Sequence, residues 1–170
     1  MAIAVYNVTP IPPDPDQTRY LEAGAIRLGL EYRSLDDAQL DAAYANDADA
    51  KAEIDANRPG ELEDQGVSIH VLGADDGHEY LRFDVFDNGP HYHYIQRDPV
   101  RNEIVDYDPV ALGDMLPWAL AQIRERLPQM LIHAGGEALV ERLDAALLAS
   151  RVEELGALAR EARALQREVR

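Results

Sequence analysis

His91 and His93 stand two apart in the string Pro90-His91-Tyr92-His93-Tyr94. Residues two apart on a β-strand project from the same face, so both imidazoles point one way. Asp84 lies on the preceding strand-like run, Leu81 to Phe86. An antiparallel turn brings it opposite the histidines, with Cβ atoms about 5 Å apart. Two imidazoles and a carboxylate on a rigid surface form a ligand set for divalent iron, nickel or zinc. The same residues can also act as a His general base oriented by an Asp. A third reading has no chemistry in it: polar pairs on a solvated sheet face, or polar contacts beneath a covering helix. The pairs expected are His91–Asp106, His93–Asp84 and His70–Arg82, with Ser68 on the same face. H-x-H spacing is common, so the plain reading outweighs the metal one at this stage.

Other chemistries are absent from the sequence. There is no cysteine, which removes disulfides, thiolate metal sites and cysteine nucleophiles. No phosphate-binding glycine loop, G-x-S-x-G elbow or H-E-x-x-H helix occurs. The Asp-rich stretch 36–55 lacks the spacing of a calcium loop. The net charge of −16 repels phosphate backbones and anionic membranes, so neither nucleic acid nor membrane is an expected partner. The charge is uneven: 14 acidic against 5 basic residues over 1–64, but 4 against 5 over 151–170. Arg82-Phe83-Asp84 together with Pro90-His91-Tyr92-His93-Tyr94 resembles the sheet strands of some small toxin-like and uncharacterised bacterial families. That resemblance implies an RNase working through His91 and His93, which the charge opposes. No apolar stretch reaches the ~18 residues of a membrane span and no signal peptide is visible, so a cytoplasmic location is the expectation.

The elements that must position these residues follow from periodicity. Ile26, Leu28, Leu30 and Tyr32 alternate with Arg27, Gly29, Glu31 and Arg33, a half-buried strand. Residues 66–107 hold four short alternating runs separated by turn residues, an antiparallel meander. A three-residue turn at Asp75-Asp76-Gly77 sets Val71 opposite Leu81, Ile69 opposite Phe83 and Val67 opposite Val85. A turn over Asp87 to Pro90 sets Asp84 opposite His93 and Phe83 opposite Tyr94. One over Arg97 to Val100 sets Tyr92 opposite Val105 and His91 opposite Asp106. The apolar residues then share one face, and Ser68, His70, Arg82, Asp84, His91, His93 and Asp106 share the other.

Before the meander, Pro10 to Pro15 reads as an extended connector, and Leu35 to Ala56 as a thinly apolar helix starting near Ser34. After it, Asp108-Pro109 opens a helix, which Pro117 should kink and Pro128 should end. A final helix runs from about Glu137, with Leu148, Leu155, Leu158, Ala162, Leu165 and Val169 on an apolar stripe at the lower limit of a coiled-coil seam.

The expected fold is α+β: a meander of about four to five strands packed by helices, with a long C-terminal helix. Residues 1–134 form the α+β domain with its Pro-rich connector. Residues 135–170 form an amphipathic helix able to self-associate. The expected function is a non-enzymatic accessory or interaction domain with a protein partner or a second copy of itself. The alternative is a metal-dependent enzyme or metal-binding protein using a divalent ion at His91, His93 and Asp84.

Overall fold

The computed structural model describes residues 3–58 and 60–169. Their alternating runs form strands β1 (Ile3–Tyr6), β2 (Arg19–Ala23), β3 (Ile26–Asp36), β4 (Glu63–Gly73), β5 (Glu79–Phe86), β6 (His91–Arg97) and β7 (Val100–Asp106). All pair antiparallel in one sheet of order β1-β7-β6-β5-β4-β3-β2. The α+β class holds, but the count is seven strands among the described residues, not four to five. β2 escaped notice because Arg-Tyr-Leu-Glu-Ala is short and weakly β-prone. It becomes a strand by pairing with β3 through a two-residue turn, Ala23 opposite Ile26.

The β4–β5 turn behaves as expected: Gly77 takes the left-handed conformation (φ 65°), and Val71, Ile69 and Val67 face Leu81, Phe83 and Val85. The β5–β6 register differs by two residues, with Asp84 opposite His91, Arg82 opposite His93 and Phe83 opposite Tyr92. Val85 and Phe86 stay paired with β4 alone, so the connection is two residues longer than its turn sequence suggests. A shift of two preserves every face. β6 and β7 pair as expected, Tyr92 with Val105 and His91 with Asp106.

The helices are α1 (Asp37–Ala43), α2 (Ala48–Asn57), α3 (Pro109–Leu112), α4 (Met115–His133), α5 (Glu137–Val140) and α6 (Ala145–Glu168). The first starts at an Asp36 cap, its side chain accepting from Gln39 N, because β3 runs on through Ser34. Pro117 falls in the first turn of α4, where backbone N–H groups have no helical partner anyway, so it sits there without loss. Pro128 does not end α4, which runs to His133. The buried side chains of Leu127, Met130 and Leu131 anchor its last turns. α4 and α6 cover the apolar sheet face, and Leu148, Val152, Leu155 and Ala159 of α6 join Leu28, Ile69, Phe83 and Ile123 in one core. Among the described residues no helix is long and apolar enough to cross a membrane.

The position of β1 and β2 decides what covers the other face. They are consecutive in the chain but lie at opposite edges of the sheet. Residues 7–18 must therefore cross the full width, roughly 29 Å for six strand spacings, which twelve extended residues can span at roughly 40 Å. They cross the polar face: Arg82 Nη2 donates to Ile11 O at 2.6 Å, and Arg33 donates to Ile11 O and Pro12 O at 3.3–3.4 Å. Proline suits such a strap, since it brings no N–H that would need a partner there. The α1–α2 pair clips onto it, Tyr44 Oη donating to Thr9 O and Glu53 accepting from Asn7 N. The polar face is thus an interior layer.

Candidate metal centre

Asp84 of β5 sits directly across from His91 of β6, and His93 follows two residues on. The Asp84 Oδ2 atom lies 3.2 Å from Nε2 of His91 and 3.2 Å from Nε2 of His93. The three potential ligand atoms all fall within 4.8 Å of one another. Asp84 and His93 are buried, while the His91 side chain keeps 20% of its exposure and edges onto the Phe86 ring.

Each group in the cluster is held from behind. Ser68 Oγ donates to Asp84 Oδ1. His93 Nδ1 lies 2.8 Å from Asn102 Oδ1, and His91 Nδ1 lies 2.7 Å from Gly89 O. A carbonyl oxygen only accepts, so His91 Nδ1 carries the hydrogen. Its Nε2 therefore meets Asp84 either as a lone pair or as a second N–H. The same logic applies to His93 against the Asn102 amide oxygen. Burial alone would raise the Asp84 pKa, but the two imidazoles and Arg82 hold it well below the carboxylate range. Burial opposes charge on His91, yet Asp84 outweighs it and raises the His91 pKa. For His93 burial dominates and the pKa falls.

A second network adjoins the cluster. His70 is fully buried, with Nε2 3.1 Å from Glu31 and Nδ1 2.5 Å from Glu79. Arg82 donates to both oxygens of Glu79 through Nε (2.8 Å) and Nη2 (2.7 Å). Burial would raise the Glu79 pKa, but Arg82 and His70 bring it down to about 2. His70 is raised, its two carboxylates outweighing the desolvation that works against its charge. Because both ring nitrogens face carboxylates, this histidine is an imidazolium tying β3, β4 and β5 together.

Of the polar-face residues picked out by sequence, Ser68, His70, Arg82, Asp84, His91 and His93 do converge. Asp106 does not join them: it lies opposite His91 in the ladder but is exposed, and His91 turns to Asp84 instead. His70 and Arg82 are cross-strand neighbours as expected, but two cations do not pair and Glu79 bridges them. Three participants were missed. Glu31 was visible in the β3 alternation. Glu79 was hidden because an irregularity in the ladder at Val71/Leu72 inverts the alternation there. It sends Tyr80 to the core and Glu79 to the polar side. Asn102 reads in sequence as no more than the start of the last strand-like run.

The apolar stripe of the last helix is largely used inside the chain. Leu148 and Leu155 are buried, Leu158 and Ala162 pack against the core, and only Leu165 (55%) and Val169 (83%) stay exposed.

The family described as Domain of unknown function (DUF7700) matches residues 20–159, which takes in the whole cluster. No curated protein and no solved structure matches the chain.

Proposed function

We propose, for a chain that belongs to the family of the domain of unknown function DUF7700, that it binds a divalent transition-metal ion through Asp84, His91 and His93. The observation that carries this reading is the hydrogen bond from His91 Nδ1 to the Gly89 carbonyl. It leaves Nε2 as the ring nitrogen available to a ligand, aimed with His93 Nε2 at one carboxylate oxygen. With Nε2 of both rings unprotonated, two lone pairs and an anion would face one another, an arrangement that a metal cation between them relieves. Metal-bound histidines are held in this way, with the far nitrogen donating to a carbonyl or amide oxygen. The 3.2 Å separations also suit an ion: bonds of ~2.0–2.1 Å in a tetrahedral zinc site put ligand atoms roughly 3.3 Å apart.

The donor set selects the ion. Imidazole nitrogen suits iron(II), nickel(II) and zinc, whereas calcium and magnesium favour all-oxygen shells and copper(I) favours sulfur. Three protein ligands leave at least one position open, as catalytic rather than structural zinc sites do. The partly exposed edge of His91 is where water or a substrate atom would reach it.

The test is elemental analysis of tag-free protein, with calorimetric titration by Zn²⁺ and Ni²⁺. One ion per chain is expected, abolished by His91→Ala and by His93→Ala in variants that retain their circular dichroism. The competing account places a proton between His91 and Asp84 and no metal. It gives a metal-free wild type, with each substitution costing about 1–3 kcal/mol of stability. That outcome would overturn the proposal.

Self-association through the last helix is left with Leu165 and Val169 as its exposed apolar residues. Light scattering on the intact chain and on L165D/V169D tests it, and equal monomer masses would remove it.

A further inference from the structure

Asp64, at the start of β4, is buried at 8% exposure. Among the described residues no cation pairs with it. Its carboxylate instead gathers backbone N–H groups: Oδ1 accepts from Gln65 N at 2.8 Å and Asn88 N at 3.0 Å, and Oδ2 accepts from Gly89 N at 2.7 Å. Burying a carboxylate without a counter-charge is costly unless its lone pairs are filled by hydrogen bonds. Two of the three donors belong to the turn between β5 and β6, 24 and 25 residues away in the chain. What the carboxylate secures is therefore that turn.

The turn has one further contact of consequence. Gly89, whose N–H is captured by Asp64, presents its carbonyl to His91 Nδ1. Asp64, the backbone of Gly89 and the His91 ring are thus linked in series. Asp64 holds the Asn88–Gly89 peptide at its nitrogen, and the next peptide, joined to it at the Gly89 Cα, presents the oxygen that sets which imidazole nitrogen carries the hydrogen. The surroundings make the geometry stiff. At Gly66, two residues along β4, a Cβ would stand 2.2 Å from Val85 O and 2.9 Å from Phe86 Cα. The β4 and β5 backbones are therefore in close contact at the base of the turn, and Asp64 closes its tip.

We infer that Asp64 is a positioning residue for the ion, holding the Gly89 carbonyl so that His91 offers Nε2 to the Asp84–His93 side. The inference rests on the metal reading for its consequence, and on the hydrogen bonds above for its mechanism. In Asp64→Asn one of the two carboxylate oxygens becomes an NH₂ group, so at least one backbone N–H meets a donor instead of an acceptor. The turn is then no longer pinned at Gly89 N, so the Gly89 carbonyl loses its fixed place and His91 its fixed tautomer.

Two measurements on the full chain test this. Calorimetry with Zn²⁺, well below the melting temperature, should show a Kd raised about 10–100-fold, the range for losing an outer partner of a metal ligand. Nitrogen-15 spectra of the metal-free protein should show the His91 ring passing from one tautomer, with Nδ1 protonated, to a mixture. Asp64→Glu keeps the charge but moves its oxygens by one methylene. It should shift both readouts in the same direction, and it serves if the asparagine variant does not fold. A merely structural Asp64 would lower the melting temperature while leaving the zinc Kd within twofold and the His91 spectrum unchanged, and that result overturns the inference. A wild type that binds no zinc defeats the proposed function, and the His91 spectrum then decides the role of Asp64 by itself.

Discussion

Replacing Asn102 by leucine removes the acceptor that holds His93 with its hydrogen on Nδ1. Asn102 is 4% exposed and its amide oxygen lies 2.8 Å from Nδ1, so no water takes its place. In the metal-free protein His93 has an escape: the hydrogen can move to Nε2 and bond to Asp84 Oδ2, 3.2 Å away. Nδ1 is then a buried nitrogen facing a hydrocarbon, which costs about 1–3 kcal/mol. For a domain of this size that lowers the melting temperature by roughly 2–12 °C. Metal binding suffers separately, because the escape uses the lone pair the ion requires. An affinity loss of about 10–100-fold is expected, or about 1.4–2.7 kcal/mol. Asn102→Asp separates the two effects. A carboxylate accepts from Nδ1 more strongly and makes the imidazole a better ligand, so zinc affinity holds or rises. A second buried anion near Asp84 lowers the stability of the metal-free protein. Zinc calorimetry and thermal melting on both variants provide the readout. The reasoning fails if N102L binds zinc as tightly as wild type, or if affinity simply follows stability in both variants.

Four further expectations concern the frame around the centre. Glu79 is held near 2 in the folded protein, against an ordinary value of 4.5. Its contribution is therefore complete above about pH 4.5 and is lost as pH falls towards 2, on the order of 3 kcal/mol. Urea titrations should show a steeper acid loss for wild type than for Glu79→Gln; parallel curves would contradict this. Gly66→Ala drives a Cβ into the Val85 carbonyl oxygen, a backbone atom that cannot rotate away. It should cost at least the ~1–3 kcal/mol of ordinary overpacking, and an unchanged melting temperature would refute the close approach. Leu155 is fully buried, so Leu155→Ala should cost about 2–5 kcal/mol. A chain ending at Ser150 should not fold, and a cooperative melt from it would show that the last helix is dispensable.

Much of the frame was legible before the structure. Alternation placed Val67, Ile69, Val71, Leu81, Phe83 and Val85 on one face, and the three-residue Asp75-Asp76-Gly77 turn set their partners. The β5–β6 register was misjudged by two residues because the length of the turn is set from a distance, by Asp64 on β4. Asp64 was not singled out, because nothing in its neighbours marks a carboxylate that binds a turn 24 residues on. Glu79 was lost to a local irregularity in the ladder that leaves no trace in the hydrophobic pattern.

The division between the two sources has a physical basis. Strand periodicity is local: side chains alternate because the backbone is pleated, so His91 and His93 could be assigned to one face from their spacing alone, and Asp84 joined them through a turn length whose two-residue error preserves the face. The absence of cysteine and the −16 charge likewise follow from composition, with no fold required. Whether that face is wet or buried is a matter of chain path. It was decided by β1 and β2 taking opposite edges of the sheet, which forces residues 7–18 across it. The apolar stripe on the last helix has the same ambiguity. A 3-4 spacing shows that a helix has a face to bury, and only the packed core shows that Leu148 and Leu155 bury theirs against their own sheet. The hydrogen position on His91 is set by the Gly89 carbonyl two residues away, in a turn whose Gly89 N–H is bonded by a carboxylate 25 residues distant, and residue spacing shows neither contact.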